Sequence, residues 1–355
     1  MNLLRPMAMA DTDLPSDLAG DLAGDLAGDL AVTYDDIHDA ARVLKGVAHR
    51  TPLLENKALS ALAGGRLFFK PEPLQVTGSF KFRGAYNFIS RLDTDARGAG
   101  VIAYSSGNHA QGVAAAAFYC DAPALIVMPE DAPEVKKQGT ASWGAEIMTY
   151  DRYGAEPREA IAARLASARG LTMVRPYDDR LIMAGQGTVG LEVIEQLAAQ
   201  ELTPTRVLVP CGGGGLTAGV TTAVKHHRPN AAVYTVEPQG YDDTARSLST
   251  GTRQQADMAV TSFCDALLAP EPGHLTYKVN SSLCTGGLAV SDAKVKIAMR
   301  AAFRHLKLAV EPGGAVALAA ALAGKLDLSE GITVIVLSGG NVDPALFAET
   351  LSQSK

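Results

Sequence analysis

Aromatic residues make up only 6% of the chain, there is a single tryptophan, and 32 Lys and Arg are outnumbered by 38 Asp and Glu. A formal charge of -6, no basic run and little aromatic interleaving leave no footprint for a phosphate backbone, which argues against nucleic acid as a partner. Cysteine is scarce too. Cys120, Cys211, Cys264 and Cys284 are scattered, form no C-x-x-C pair and sit in a chain of 355 residues, too large to need staples, so they read as reduced thiols in a cytosol. No apolar stretch is long enough to span a bilayer, and "MNLLRPMAMADTDLPSD" lacks the charged and apolar regions of a secretion leader. Membrane insertion and export are disfavoured, and a cytoplasmic location is expected.

What is present is an ordinary globular composition, 47% hydrophobic and 20% charged, at a length that suggests two lobes. Residues 17 to 31 repeat "DLAG", and the repeated glycines disfavour a stable helix, so residues 1 to 32 read as a disordered or frayed tail. Beyond it, short β-branched runs alternate with stretches of helical period. "VIAY" (101 to 104), "ALIVM" (124 to 128), "RVLVP" (206 to 210), "AVYTVEP" (232 to 238) and "ITVIVLSGG" (332 to 340) look like buried parallel strands. Helices are expected over 109 to 119, 156 to 168, 188 to 200 and 292 to 307. The alternation predicts an α/β architecture with ligands at the carboxyl ends of the strands.

Three strand-to-helix loops could carry chemistry. "SSGNHAQG" (105 to 112) offers small side chains and free N–H groups at a helix start, suited to a carboxylate or to plain capping. "CGGGGLTAG" (211 to 219) can fold its backbone round an anion, and four successive glycines are costly in an ordinary turn, which favours a phosphate cradle. The same loop fits G-x-G-x-x-A through Gly213, Gly215 and Ala218, with Glu237 some twenty residues on, so a nucleotide oxidoreductase competes. "LSGGNVD" (337 to 343) places Ser338 at a strand end, as a ligand contact or a turn former. In "TGSFKFRGA" (77 to 85), Lys81 alone would read as a surface charge; together with the two loops it describes a lysine imine to a phosphorylated aldehyde, pyridoxal 5'-phosphate.

From about Tyr34 to Pro344, through "TGSFKFRGAYN", "SSGNHAQGVA", "AGQGTVGLEV", "VPCGGGGLTAG", "VEPQGYDD" and "LSGGNVD", the sequence closely resembles the fold type II pyridoxal-phosphate enzymes. Its kin there are the serine and threonine dehydratases, serine racemases and 3-hydroxyaspartate dehydratases. The resemblance implies a two-domain, tryptophan synthase β-like fold, with residues 97 to 178 as a small domain and 33 to 96 plus 179 to 350 as the large one. It implies that Lys81 anchors the cofactor and acts as base, with Phe80 against the ring, Asn108 on the ring hydroxyl, Gly212, Gly213, Gly214 and Gly215 round the phosphate, and Ser338 facing the pyridine nitrogen. Ser105, Ser106, Gly107, Asn108 and His109 would take the substrate carboxylate. A neutral hydroxyl at Ser338 weakens the electron sink and suits β-elimination.

The resemblance also implies a divalent-cation site of Glu237, the Tyr241 carbonyl and Asp243, whose hard oxygens suit Mg²⁺, with Ca²⁺ or Mn²⁺ as alternatives. It further implies a homodimer and a small hydroxy-amino-acid substrate: threonine, serine or 3-hydroxyaspartate. Arg158 aligns near the site entrance, and Arg175 and Tyr177 lie on "VRPYDD"; an arginine for a second carboxylate hints at hydroxyaspartate. Ser106 keeps racemisation open, because a serine there can reprotonate the opposite face of Cα. Outside the class stand a nucleotide oxidoreductase and a non-catalytic cofactor-binding protein. No isoleucine-sensing domain is expected, since the chain ends at Lys355, just after the last loop.

Overall fold

The structure is a computed structural model that describes residues 30 to 132, 134 to 151 and 154 to 352. The expected tail lies outside the described residues as far as residue 29; of its last residues, Val32 is fully buried. The first helix, Tyr34–Leu44, begins with a capping box: the Thr33 hydroxyl accepts from Asp36 N, and the Asp36 carboxylate accepts from Thr33 N at 2.9 Å. Its Ile37, Ala40 and Leu44 recur at helical spacing and face the core.

Among the described residues, ten strands form two sheets. In chain order they are β1 (Leu54–Glu55), β2 (Arg66–Pro71), β3 (Val101–Tyr104), β4 (Ala124–Pro129), β5 (Glu146–Tyr150), β6 (Thr172–Met173), β7 (Arg206–Pro210), β8 (Ala232–Pro238), β9 (Gly286–Val290) and β10 (Ile332–Leu337). One sheet runs β1-β2-β10-β7-β8-β9, the other β5-β4-β3-β6, and every pairing is parallel except β1 with β2. All five strands expected from the sequence are present. Central β10, "ITVIVL", is buried throughout, the continuous apolar run that a parallel strand covered on both faces requires. Short β1 and β6 lack such a run and left no trace in the pattern.

Helix Lys81–Ile89 packs against helices Asn108–Tyr119 and Arg180–Ala198. Its Phe82, Ala85 and Ile89 share a core cluster with Val101 and Ala103 of β3, Ile126 of β4, and Val113. Glycines let two neighbours approach it: a Cβ at Gly112 of helix Asn108–Tyr119 would fall 3.0 Å from the Lys81 carbonyl carbon, and one at Gly185 would fall 2.6 Å from Arg83 O. The expected helix at 188 to 200 begins at Arg180 instead and runs to Ala198. Glycine-rich "AGQGTVG" hid its first turns, since glycine weakens an isolated helix while tight helix packing demands it. At the far end of the chain, the helix expected over 292 to 307 is α-helical only to Ala301, widens to a π turn, and stops at Lys307 with φ 60°.

Candidate active site

The carboxyl ends of β2, β3, β7 and β10 converge on Lys81. The loop before it is tied to the loop after β10 by Phe80 N to Ser338 O (3.2 Å), Gly340 N to Gly78 O (2.8 Å) and Asn341 Nδ2 to Thr77 O (2.8 Å). Gly78 has φ 70°, and a Cβ there would meet Asn341 Oδ1 at 2.6 Å, so the crossing admits only glycine. Lys81 then opens its helix, with Phe80 as the N-cap residue. Its Nζ donates to Pro176 O at 2.5 Å and lies 5.2 Å from the Phe80 ring centroid. No carboxylate pairs with it among the described residues, and desolvation lowers its pKa to about 8. An amine so placed reaches its neutral, nucleophilic form near physiological pH.

Two residues on, Arg83 has the opposite surroundings. It donates to Glu72 (2.8 and 2.9 Å) and Glu192 (2.6 and 3.0 Å), while Lys70 donates to Glu192 at 2.6 Å and to Thr51 O at 2.7 Å. Arg83, Glu72 and Lys70 are almost wholly excluded from solvent. This cluster joins β2, the Lys81 helix and helix Arg180–Ala198 into a rigid floor. Sequence reasoning passed over it, because partners such as Arg83 and Glu192 are far apart in the chain.

The glycine loop follows β7. Gly214 has φ 91°, and Gly215 begins helix Gly215–His227. Its carbonyls are turned away into helix His274–Leu283: Thr276 Oγ1 donates to Gly213 O at 2.6 Å and Asn280 Nδ2 to Gly214 O at 3.2 Å. The N–H groups of Gly212 to Gly215 find no acceptor among the described residues, so they remain for an anion. Side chains have no room: a Cβ at Gly213 would lie 2.4 Å from the Tyr177 ring, and one at Gly214 2.8 Å from Asn280 Nδ2. Thr276 and Asn280 escaped the sequence reading, because nothing near them in the chain ties them to a glycine loop some sixty residues earlier.

The loop after β3 closes the ring of groups. Gly107 N donates to Ser105 Oγ at 3.2 Å, Ser106 makes no side-chain hydrogen bond among the described residues, and Asn108 starts its helix. The Asn108 amide donates to Glu311 Oε1 at 2.6 Å and accepts from Asn341 Nδ2 at 2.7 Å, which fixes its orientation. Burial raises Glu311 to a pKa of about 7. His109 faces inward: burial, then the Lys81 charge, pull it down to about 3, so the neutral ring donates from Nε2 to Val174 O at 2.9 Å. What His109 can offer a carboxylate is its backbone N–H. Ser338 is buried, and its hydroxyl has no protein partner among the described residues.

A lowered-pKa lysine, a ring of unused amides and a lone buried hydroxyl fit an aldehyde-bearing phosphate with a ring nitrogen. A family model described as "Pyridoxal-phosphate dependent enzyme" matches residues 44–339. The chain belongs to that family. An L-threo-3-hydroxyaspartate ammonia-lyase of a Pseudomonas species is 40% identical over 319 residues, covering 90% of this chain and 98% of that protein. The serine racemase of Schizosaccharomyces pombe is 38% identical over 322 residues, covering 90% and 98%. The crystal structure of the T.th. threonine deaminase superposes with a TM-score of 0.82 at 41% identity, covering 88% of this chain and 99% of that one. The expected family, fold type, pyridoxal-phosphate cofactor and lyase class are borne out, and the dinucleotide alternative falls away.

Against the pyridoxal-phosphate family's pattern, two further groups can be placed. Glu237 is the last residue but one of β8 and accepts from Thr244 N (3.0 Å) and Ala245 N (2.8 Å); Asp243 opens helix Asp243–Thr250, and its Oδ2 is buried without a partner among the described residues. Burial and then the Asp243 charge push Glu237 far above the carboxylate range, and burial raises Asp243 to about 7. Tyr241 lies buried between them in sequence. Arg158 opens helix Arg158–Arg169, with Nε on Glu159 Oε1 at 2.8 Å and its guanidinium 5.7 Å from the Tyr104 ring centroid.

Proposed function

We propose that this enzyme is an ammonia-lyase that converts a β-hydroxy-L-amino acid, namely threonine, serine or 3-hydroxyaspartate, into the 2-oxo acid and ammonia. The observation that carries the reading is Lys81, a desolvated amine with a carbonyl and an aromatic ring for neighbours and a pKa lowered to about 8. When bound, pyridoxal phosphate supplies the electron sink that makes a substrate α-proton acidic. Lys81 takes that proton on Nζ, being neutral often enough to act as base. Gly212, Gly213, Gly214 and Gly215 hold the phosphate through their free amides, Phe80 packs beside the ring, and Asn108 is oriented toward the ring hydroxyl by Glu311 and Asn341. Ser338 offers a neutral hydroxyl to the ring nitrogen. Ser105, Ser106, Gly107, Asn108 and His109 hold the substrate carboxylate at a helix start. A small lobe of residues 97 to 178 closing on a large lobe of 33 to 96 and 179 to 350 excludes water from the reacting carbon.

Glu237, the Tyr241 carbonyl and Asp243 hold Mg²⁺ or a similar hard cation. The partnerless Asp243 Oδ2 supports this, because a cation relieves the repulsion between two buried carboxylates. A homodimer in the cytoplasm completes the proposal on the resemblance alone. A second reading, amino-acid racemisation, is favoured by the uncommitted Ser106 hydroxyl, which could donate a proton to Cα from the face opposite Lys81.

The test is release of ammonia and 2-oxo acid from L-serine, L-threonine and both diastereomers of 3-hydroxyaspartate, with loss of optical rotation followed in parallel. Lys81→Ala should lose the imine absorbance and all turnover while keeping its fold. Rotation loss without ammonia would move the reading to racemase, and ammonia release by Lys81→Ala at the parent rate would sink both.

A further inference from the structure

At the mouth of the cleft lies a cavity of about 560 Å³ between the segment after β6 and the segment before helix His274–Leu283. Tyr104, Arg175, Pro176 and Tyr177 form one wall, Arg253 and His274 the other. Its inner boundary is the Pro176–Tyr177 peptide: Pro176 O accepts from Lys81 Nζ at 2.5 Å, and Tyr177 lies on Gly213 of the phosphate loop. Whatever fills this cavity therefore lies across that one peptide from the reactive amine.

The charges round this cavity are matched, with one exception. Arg253 is held by Glu271 (2.8 Å), Pro272 O (3.0 Å) and the His274 ring. Asp178 accepts from three backbone amides at the start of helix His274–Leu283, at 2.8 to 3.2 Å. Glu159 is taken by Arg158 at 2.8 Å. Arg175 is exposed and has no acceptor among the described residues. Arg175 and Tyr177 flank Pro176, and both line the cavity.

We propose that Arg175 is the specificity residue that receives the β-carboxylate of the substrate, so that the enzyme's preferred class is the 3-hydroxy dicarboxylic amino acid. This rests on the ammonia-lyase reading and narrows it. The guanidinium offers a planar fork that a carboxylate fills with two parallel hydrogen bonds, which the side chain of serine or threonine cannot do. Arg158, with Nε on Glu159, is the less available of the two.

The experiment is the ratio of kcat/KM for L-threo-3-hydroxyaspartate to that for L-serine in the parent enzyme, Arg175→Gln, Arg175→Lys and Arg158→Gln, each holding its cofactor. Loss of charge-assisted hydrogen bonds predicts that the ratio falls about 10- to 100-fold in Arg175→Gln, mainly through KM, with partial recovery in Arg175→Lys. An unchanged ratio in Arg175→Gln, or an equal fall in Arg158→Gln, overturns the assignment while leaving the lyase reading intact. If the parent enzyme releases no ammonia, binding of succinate, followed by the change in cofactor absorbance, still tests the site: succinate binding weakened in Arg175→Gln supports it, and equal binding overturns it.

Discussion

Lys81 and Arg83 are two residues apart on one helix, yet one cation is starved of partners and the other surrounded by them. Arg83 faces the floor, where Glu72 and Glu192 answer it and Lys70 answers Glu192 in turn. Lys81 faces the cleft, where a single carbonyl receives it. Their pKa values move in opposite directions for that reason, up for Arg83 through the two carboxylates despite its burial, and down for Lys81 through desolvation alone. The floor is a finished structure. On the cleft side the unmatched groups, Lys81, the Gly212 to Gly215 amides and Arg175, are those that a cofactor or substrate would complete. The buried Glu237 and Asp243 carboxylates have no cationic side chain bonded to them among the described residues, and the proposed Mg²⁺ would supply that charge.

This contrast can be broken by experiment. Arg83→Met strands the buried Glu72 carboxylate, leaves Glu192 only Lys70, and should cost about 3–5 kcal/mol in urea unfolding, equally with or without Mg²⁺. A loss under about 1 kcal/mol would show that the floor tolerates an unmatched charge and would remove the contrast. Next in size, Mg²⁺ at a hundredfold its Kd should stabilise the parent enzyme by about 2.7 kcal/mol, reversed by EDTA and absent in Asp243→Asn. Stabilisation that survives in Asp243→Asn would place the cation elsewhere. The smallest effect is kinetic. With its pKa lowered to about 8, Lys81 should load pyridoxal phosphate at a rate that rises about tenfold per pH unit on the acid side and levels off above pH 8. The neutral amine is the attacking form, so the rise runs toward alkaline pH; a profile still climbing to the ordinary lysine value of 10.5 would mean that Lys81 is not desolvated.

Much of the site was legible one loop at a time. The four glycines, the "SSGNH" loop and Ser338 each follow a strand that apolar periodicity reveals, while Lys81 by itself read as a surface charge and gained its meaning from those loops. The floor was not legible, because its meaning lies in pairs such as Arg83 and Glu192, 109 residues apart in the chain. Nor were the groups that prepare the binding loops. Thr276 and Asn280 turn the glycine carbonyls inward, and Glu311 and Asn341 orient Asn108, yet in sequence each is an unremarkable polar residue.

By itself the sequence determined the alternation of strands and helices, the parallel sheets and the loops in which chemistry would gather, since these follow from periodicity and glycine content within a few residues. Which buried charges are matched was decided only by the tertiary structure. Burial makes every ionised group depend on what long-range packing brings to it, and here packing supplies partners to Arg83 and withholds them from Lys81.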